Sequence, residues 1–166
     1  MASLFRISLK DVDKIWSAFS GLRSALLDKK ALAQIGAFIK FRIAKRTAAG
    51  VDVDGYRFVP YTKRYAMFRY AHGRPINKVN LFFTGGMMAA LDYTVDPDGR
   101  SAAVFFRPSP SFPLPGRSKG RAITNAEKAS FLQEKREFFG MSAEDREKAV
   151  AIYSAAIQKA IDKLGK

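Results

Sequence analysis

Apolar residues recur at helical spacing towards both ends of the chain and alternate with polar ones in its middle. Residues 3–7 alternate and predict a short strand. Ser8 stands three before Asp11 as a capping pair, and Val12, Ile15, Trp16, Phe19, Leu22 and Leu26 follow on one helical face. Asp28 offers a second helix start. Leu32, Ile35, Ile39 and Ile43 carry the stripe to about Arg46, and Gly50 is a natural stop. Gly21 and Asp28 leave open whether this is one long helix or two.

Beyond Gly50 the pattern turns to strands and turns. Asp54-Gly55 marks a turn before a short Tyr56–Val59 strand closed by Pro60. Residues 61–70 predict one or two helical turns, with Tyr61, Tyr65 and Phe68 on one side. Leu91, Tyr93 and Val95 alternate, Asp96-Pro97-Asp98-Gly99 has the chemistry of a type I turn, and Ala102 to Phe106 returns as the second arm of a hairpin. Residues 107–121 hold four prolines and a cationic tail, which predicts a long extended loop that orders only on assembly. At the end, Ser142 caps a helix with Asp145 at its third position. Val150, Tyr153, Ile157, Ile161 and Leu164 form its stripe, which places Ile157 and Ile161 inside the fold. The elements predict an α+β class: a long N-terminal helical segment, a small mostly antiparallel sheet and a C-terminal amphipathic helix. The length of 166 residues predicts a single domain, residues 1–166, with the Pro-rich basic loop within it.

Composition narrows the chemistry. The chain has no Cys, which removes disulfides, thiolate nucleophiles and cysteine zinc sites and agrees with a reducing compartment. No apolar run reaches the length of a membrane span, and the N-terminus lacks the pattern of a secretion signal, so a soluble protein is expected. His72 is the sole histidine, which excludes a His-pair metal site. Asp52-Val53-Asp54-Gly55 lacks the further ligands of a calcium loop and reads as a turn. Thr84-Gly85-Gly86 is not followed by the Lys and hydroxyl of a phosphate loop, and reads as the tight bend of a strand. No carboxylate spacing suggests an acid–base pair. The expectation is a non-enzymatic protein without cofactor or metal.

Charge is the extreme feature. Lys and Arg number 29 against 15 Asp and Glu, a net +14, and the first 50 residues are the most basic. Such a balance fits nucleic acid, an acidic partner surface, or a solvated surface. The Tyr61–Tyr70 stretch interleaves aromatics with Lys63, Arg64 and Arg69. That mix suits stacked bases and phosphates, or equally a core face with solvated backs.

Three blocks, in order, resemble one family. Gly50-Val51-Asp52-Val53-Asp54-Gly55-Tyr56-Arg57-Phe58-Val59-Pro60-Tyr61-Thr62 is similar to the Gly…Asp-Pro-Asp-Gly-x-x-Trp-x-Pro-Leu run of the phage virion morphogenesis proteins, also called tail-completion or head–tail joining proteins. Val53 replaces the Pro and Phe58 the Trp. Leu81-Phe82-Phe83-Thr84-Gly85-Gly86-Met87 resembles their Leu-x-Asp-Thr-Gly-x-Leu, with Phe83 for the Asp and Ala90 where a Ser is common. Arg136-Glu137-Phe138-Phe139-Gly140-Met141-Ser142-Ala143-Glu144-Asp145 is similar to Arg-Pro-Phe-Leu-Gly-Leu-Ser-x-x-Asp ahead of a last helix.

The resemblance implies a structural virion protein of the tail or neck, present in host cytoplasm during assembly. Its expected partners are copies of itself in a homo-oligomeric ring and other phage neck and tail proteins. DNA passes nearby without tight binding, and no membrane is involved. On that reading Lys40, Lys45, Arg46, Arg117, Lys119 and Arg121 meet acidic surfaces of adjacent subunits. The alternative is a basic nucleic-acid-binding module that uses the Tyr61–Tyr70 stretch, with Lys63, Arg64 and Arg69, and the Arg117–Arg121 loop.

Overall fold

The computed structural model describes residues 20–21, 28–110 and 123–164. The strand expected at 3–7, the Ser8–Asp11 cap, the stripe from Val12 to Leu26 and the stretch from 111 to 121 of the extended loop lie outside the described residues. Those described form an α+β fold of helices around one antiparallel hairpin.

Helix α1 (Lys29–Ala49) starts at the Asp28 cap. Its Oδ1 accepts the amides of Lys30 and Ala31 at 2.8 and 3.2 Å. The helix ends at Gly50, whose φ of +82° closes the last turn by donating to the carbonyls of Arg46 and Thr47. A Cβ there would lie 2.6 Å from the Val79 carbonyl oxygen, so both conformation and space demand glycine.

The Asp52–Gly55 turn forms as predicted, with Asp52 Oδ1 accepting the amides of Asp54 and Tyr56. The strand expected at Tyr56–Val59 does not form; a lone bridge joins Val51 to Arg57. Phe58 is buried in the core, and the carbonyls of Val59 and Pro60 accept the Arg136 guanidinium instead of a neighbouring strand. Helix α2 (Lys63–Ala71) follows, capped by Thr62.

Thr84-Gly85-Gly86 likewise departs from the strand bend expected of it. Gly85 caps a single helical turn, α3 (Gly86–Ala89), and Thr84 Oγ1 accepts the Gly86 amide at 3.4 Å. Strands β1 (Leu91–Val95) and β2 (Ala102–Phe106) pair with Leu91 opposite Phe106 and Val95 opposite Ala102. The Gly99 amide donates to Asp96 across the turn.

Helix α4 (Asn125–Gln133) was not foreseen. Its signal was present in Thr124 and Glu127, which form a complete capping box. The two described ends of the Pro-rich connection meet there: Pro110 bridges Thr124, and Asn125 Nδ2 donates to Ser109 Oγ and the Pro110 carbonyl.

Helix α1 contacts both strands and the last helix, α5 (Ala143–Leu164). Gly36 permits its approach to β1, since a Cβ there would come within 2.6 Å of the Tyr93 ring. Ile39 and Ile43 then join Phe58, Leu81, Met87, Leu91 and Phe138 in one buried cluster.

The α1–α5 contact is ionic at its centre. Ser142 and Asp145 cap α5 reciprocally, each amide donating to the other's side chain at 3.1 Å. Asp145 is fully buried, and it also receives Arg42 Nε at 2.6 Å and Arg46 Nη1. Arg46 further donates to the Gly140 carbonyl, and Arg42 reaches Glu144 at 2.7 Å. Burial alone would raise the Asp145 carboxyl. The hydrogen bonds from Arg42, the Ser142 amide and Arg46 outweigh it and hold the group below the usual carboxylate range.

This ion cluster also corrects the expected stripe on α5. With Asp145 turned inward, the face that follows it runs through Ala149, Ile152 and Ala156, which are buried or half-buried. Val150 lies five residues on, roughly 140° away at about 100° per residue, and is exposed; so is Ile161. Ile157 is half-buried. Ile161→Asp is therefore not the core lesion its spacing implied.

Asp145→Asn keeps the shape of the cap but leaves Arg46 buried without a counter-charge. It should cost about 3–5 kcal/mol in denaturant unfolding, a large part of the roughly 5–15 kcal/mol of a domain. A depressed carboxyl pKa contributes stability above its unfolded value of about 4, and the contribution fades as pH falls through the folded value. Wild type should therefore lose stability on that acid limb and the Asn variant much less. Equal acid limbs would assign the sensitivity to another carboxylate.

Candidate functional site

The residues expected to act at the surface separate into two groups. Arg46 does not present itself to a partner: it is buried against Asp145, because an unpaired carboxylate at that depth would be costly. Lys40 bonds Asp92 of β1 at 3.1 Å and lies over the Tyr93 ring, so much of its charge is neutralised within the fold. That contact, with the Tyr93 amide and Arg107 beside it, holds the Asp92 carboxyl below its ordinary value. Lys45 is exposed, its ammonium 5.8 Å from the ring of the equally exposed Phe41. Arg117, Lys119 and Arg121 lie outside the described residues.

Among the nucleic-acid candidates, Lys63 and Arg64 are exposed on the first turn of α2, whereas Arg69 is buried. Its Nε donates to the Pro75 carbonyl at 3.0 Å and its Nη1 to Phe82 at 2.8 Å. The guanidinium lies 4.6 Å from the Tyr61 ring centroid and 6.0 Å from those of Tyr65 and Phe83. The amphipathic pattern of 61–70 thus puts the aromatics inward, and one of the interleaved cations goes with them as the post that holds the 75–82 segment. Its spacing carried part of the signal: Arg69 stands four residues after Tyr65 and so falls beside the aromatic face, whereas Lys63 does not. His72, at the end of α2, bonds the Phe68 carbonyl through Nδ1 and packs on the Phe68 ring, a structural role.

Between this aromatic cluster and α4 opens a cleft of about 410 Å³. Pro60, Tyr61, Tyr65 and Phe83 line one side. Phe131 and Leu132 line the other, with Lys128, Lys135 and Arg136 as its cations and Glu134 as its carboxylate. Arg136 is committed to the Val59 and Pro60 carbonyls, at 2.9 to 3.2 Å, and lies over Tyr61. Lys128 is nine-tenths buried, and burial lowers its pKa from the ordinary lysine value. Neither was singled out for a site in the sequence, Lys128 because α4 itself went unseen.

All three blocks quoted above contribute to the lining of the cleft, and α2, α4 and the turn after α4 supply the rest. The Val53 amide donates to the Glu137 carbonyl at 2.8 Å, Val53 packs on Gly140, and Leu81 and Met87 share the core with Phe58 and Phe138. Among the described residues no cluster of His, Cys, Asp and Glu could hold a metal ion, and no helix is long and apolar enough to cross a membrane. Comparisons with protein-family models, curated proteins and solved structures returned no match.

Arg69→Met removes a buried donor from the half-buried bonds to the Pro75 and Phe82 carbonyls and should cost about 1–3 kcal/mol in all. Lys63→Gln and Arg64→Gln should change stability by less than about 0.5 kcal/mol. Thermal melts of the three variants check this; equal effects would mean that Arg69 does not hold the segment.

Proposed function

We propose that this chain is a structural subunit of a tailed-phage virion that acts in tail completion or head–tail joining as a member of an oligomeric ring. The observation that carries the reading is the convergence of the three family-like blocks. They lie up to about 80 residues apart along the chain and form one packed unit through backbone bonds, the Arg136 fork and the shared core. Their residues serve as turns, caps and anchors, which is what a family defined by assembly would keep in common. A ring about a DNA passage needs heterologous contacts that close, and Lys45 with Phe41 offers an exposed cationic and apolar face for one such contact.

The charge suits this role better than a grip on DNA. Each phosphate contact adds a salt-sensitive hold that would slow passage. Arg69, one of the three cations expected to make such contacts, is engaged within the fold.

The purified protein, alone or with virion proteins, should form particles many times its 18.5 kDa mass by light scattering. Lys45, Arg117, Lys119 and Arg121 changed together to Gln should abolish virion joining in complementation and leave duplex affinity unchanged. Arg46 stays out of the set because its loss would unfold the α1–α5 contact. A monomer that binds duplex tightly with a steep salt dependence, lost in the variant while joining stays normal, would establish the nucleic-acid module instead.

A further inference from the structure

We infer that the cleft between Pro60–Thr62 and α4 docks an acidic segment of a partner protein, a carboxylate meeting the Lys128 ammonium and an adjacent apolar side chain filling the space beside Leu132. The partner's being a protein rests on the assembly reading; the cleft itself rests on geometry.

Lys128 is the reason. A lysine nine-tenths buried is ordinarily paired, yet among the described residues no hydrogen-bond acceptor or carboxylate engages its Nζ. Glu127, the preceding residue, is bonded to Thr124 in the capping box. Arg136, the neighbouring cation, already has its acceptors. The cleft therefore holds the Lys128 ammonium on a buried stem among apolar walls, beside Lys135 and Arg136 and with Glu134 on its rim, a place where a bound anion forms a charge-assisted bond. The chain's net +14 would steer an acidic partner towards it.

Nucleic acid is the less suitable occupant. Base stacking needs an open aromatic face. Tyr61 carries the Arg69 and Arg136 guanidiniums at 4.6 and 5.6 Å, and Phe83 is stacked on Phe68 at 5.3 Å with Arg74 at 5.9 Å. A duplex phosphate meets cations on open surface, and Lys128 is not one. A carboxylate on a slender stem reaches where a phosphodiester backbone does not.

The test titrates the full-length, isotope-labelled protein with acetyl-Gly-Asp-Leu-Phe-Gly-amide, with its Asn-containing counterpart and with a thymidine pentanucleotide, followed by NMR. The Asp peptide should shift the resonances of Lys128 and Leu132 and bind at least about tenfold tighter than the Asn peptide, the effect of one charged hydrogen bond. Lys128→Met keeps the stem and removes the charge. It should bring the Asp peptide down to the affinity of the Asn peptide, with a Tm equal to or above wild type. Equal affinity for the two peptides, undiminished Asp-peptide binding by Lys128→Met, or silence of the cleft resonances at millimolar peptide would each overturn the inference. So would a collapse of Lys128→Met, which would make the lysine a structural group, or preferential perturbation of the cleft by the oligonucleotide. Because the assembly reading is judged by particle mass and joining, a ring-forming protein with an empty cleft would refute this inference alone.

Discussion

Asp145 lies fully buried between two arginines of α1 while closing the cap of its own helix. A carboxylate placed there without partners would be untenable, and so would the Arg46 guanidinium without the carboxylate. The mutual requirement fixes how α5 meets α1, and α1 in turn rests on the hairpin through Gly36 and Tyr93. Through the Arg46 bond to Gly140 the same contact also holds the Phe138–Gly140 segment, whose Phe138 completes the core. The orientation of the last helix thus follows from charge, with apolar packing arranged around it.

That constraint explains what could and could not be read from the chain. The caps at Asp28 and Ser142, the Gly50 stop and the Asp96–Gly99 hairpin are local, determined by a few adjacent residues, and each was legible. Phe58 and Val59 looked like a strand because strand-forming residues also suit a buried anchor; a partner 77 residues away, Arg136, decided the matter. Val150 and Ile161 were placed inward because periodicity gives the spacing of a face but not its direction. Asp145 gives the direction, and an acidic residue is not where a hydrophobic stripe is sought. For the cleft, the aromatic wall was visible in Tyr61 and Tyr65. The α4 wall was missed although Thr124 and Glu127 announced it.

The basicity resolves into parts with different physics. Arg46 and Arg69 hold elements together from buried positions, the first through Asp145 and the second through backbone carbonyls, and half-buried Arg42 joins the Asp145 cluster from its edge. Lys40 straddles fold and surface. Lys45, Lys63 and Arg64 remain outside, available for long-range steering that salt would screen. A high net charge therefore overstates the cations free for a partner. It is the placement of each that separates an assembly subunit, whose charges guide docking, from a module that grips phosphates.

The central claim is that Arg46 and Asp145 depend on each other, and a double-mutant cycle tests it directly. Arg46→Met, Asp145→Asn and the double variant would be unfolded in denaturant beside wild type. If the pair locks α1 to α5, the double variant will be less destabilised than the sum of the singles by roughly 2 kcal/mol or more, because the second change removes the charge that the first left stranded. Losses that add to within about 0.5 kcal/mol would show two independent side chains, and the orientation of α5 would then have to come from packing alone.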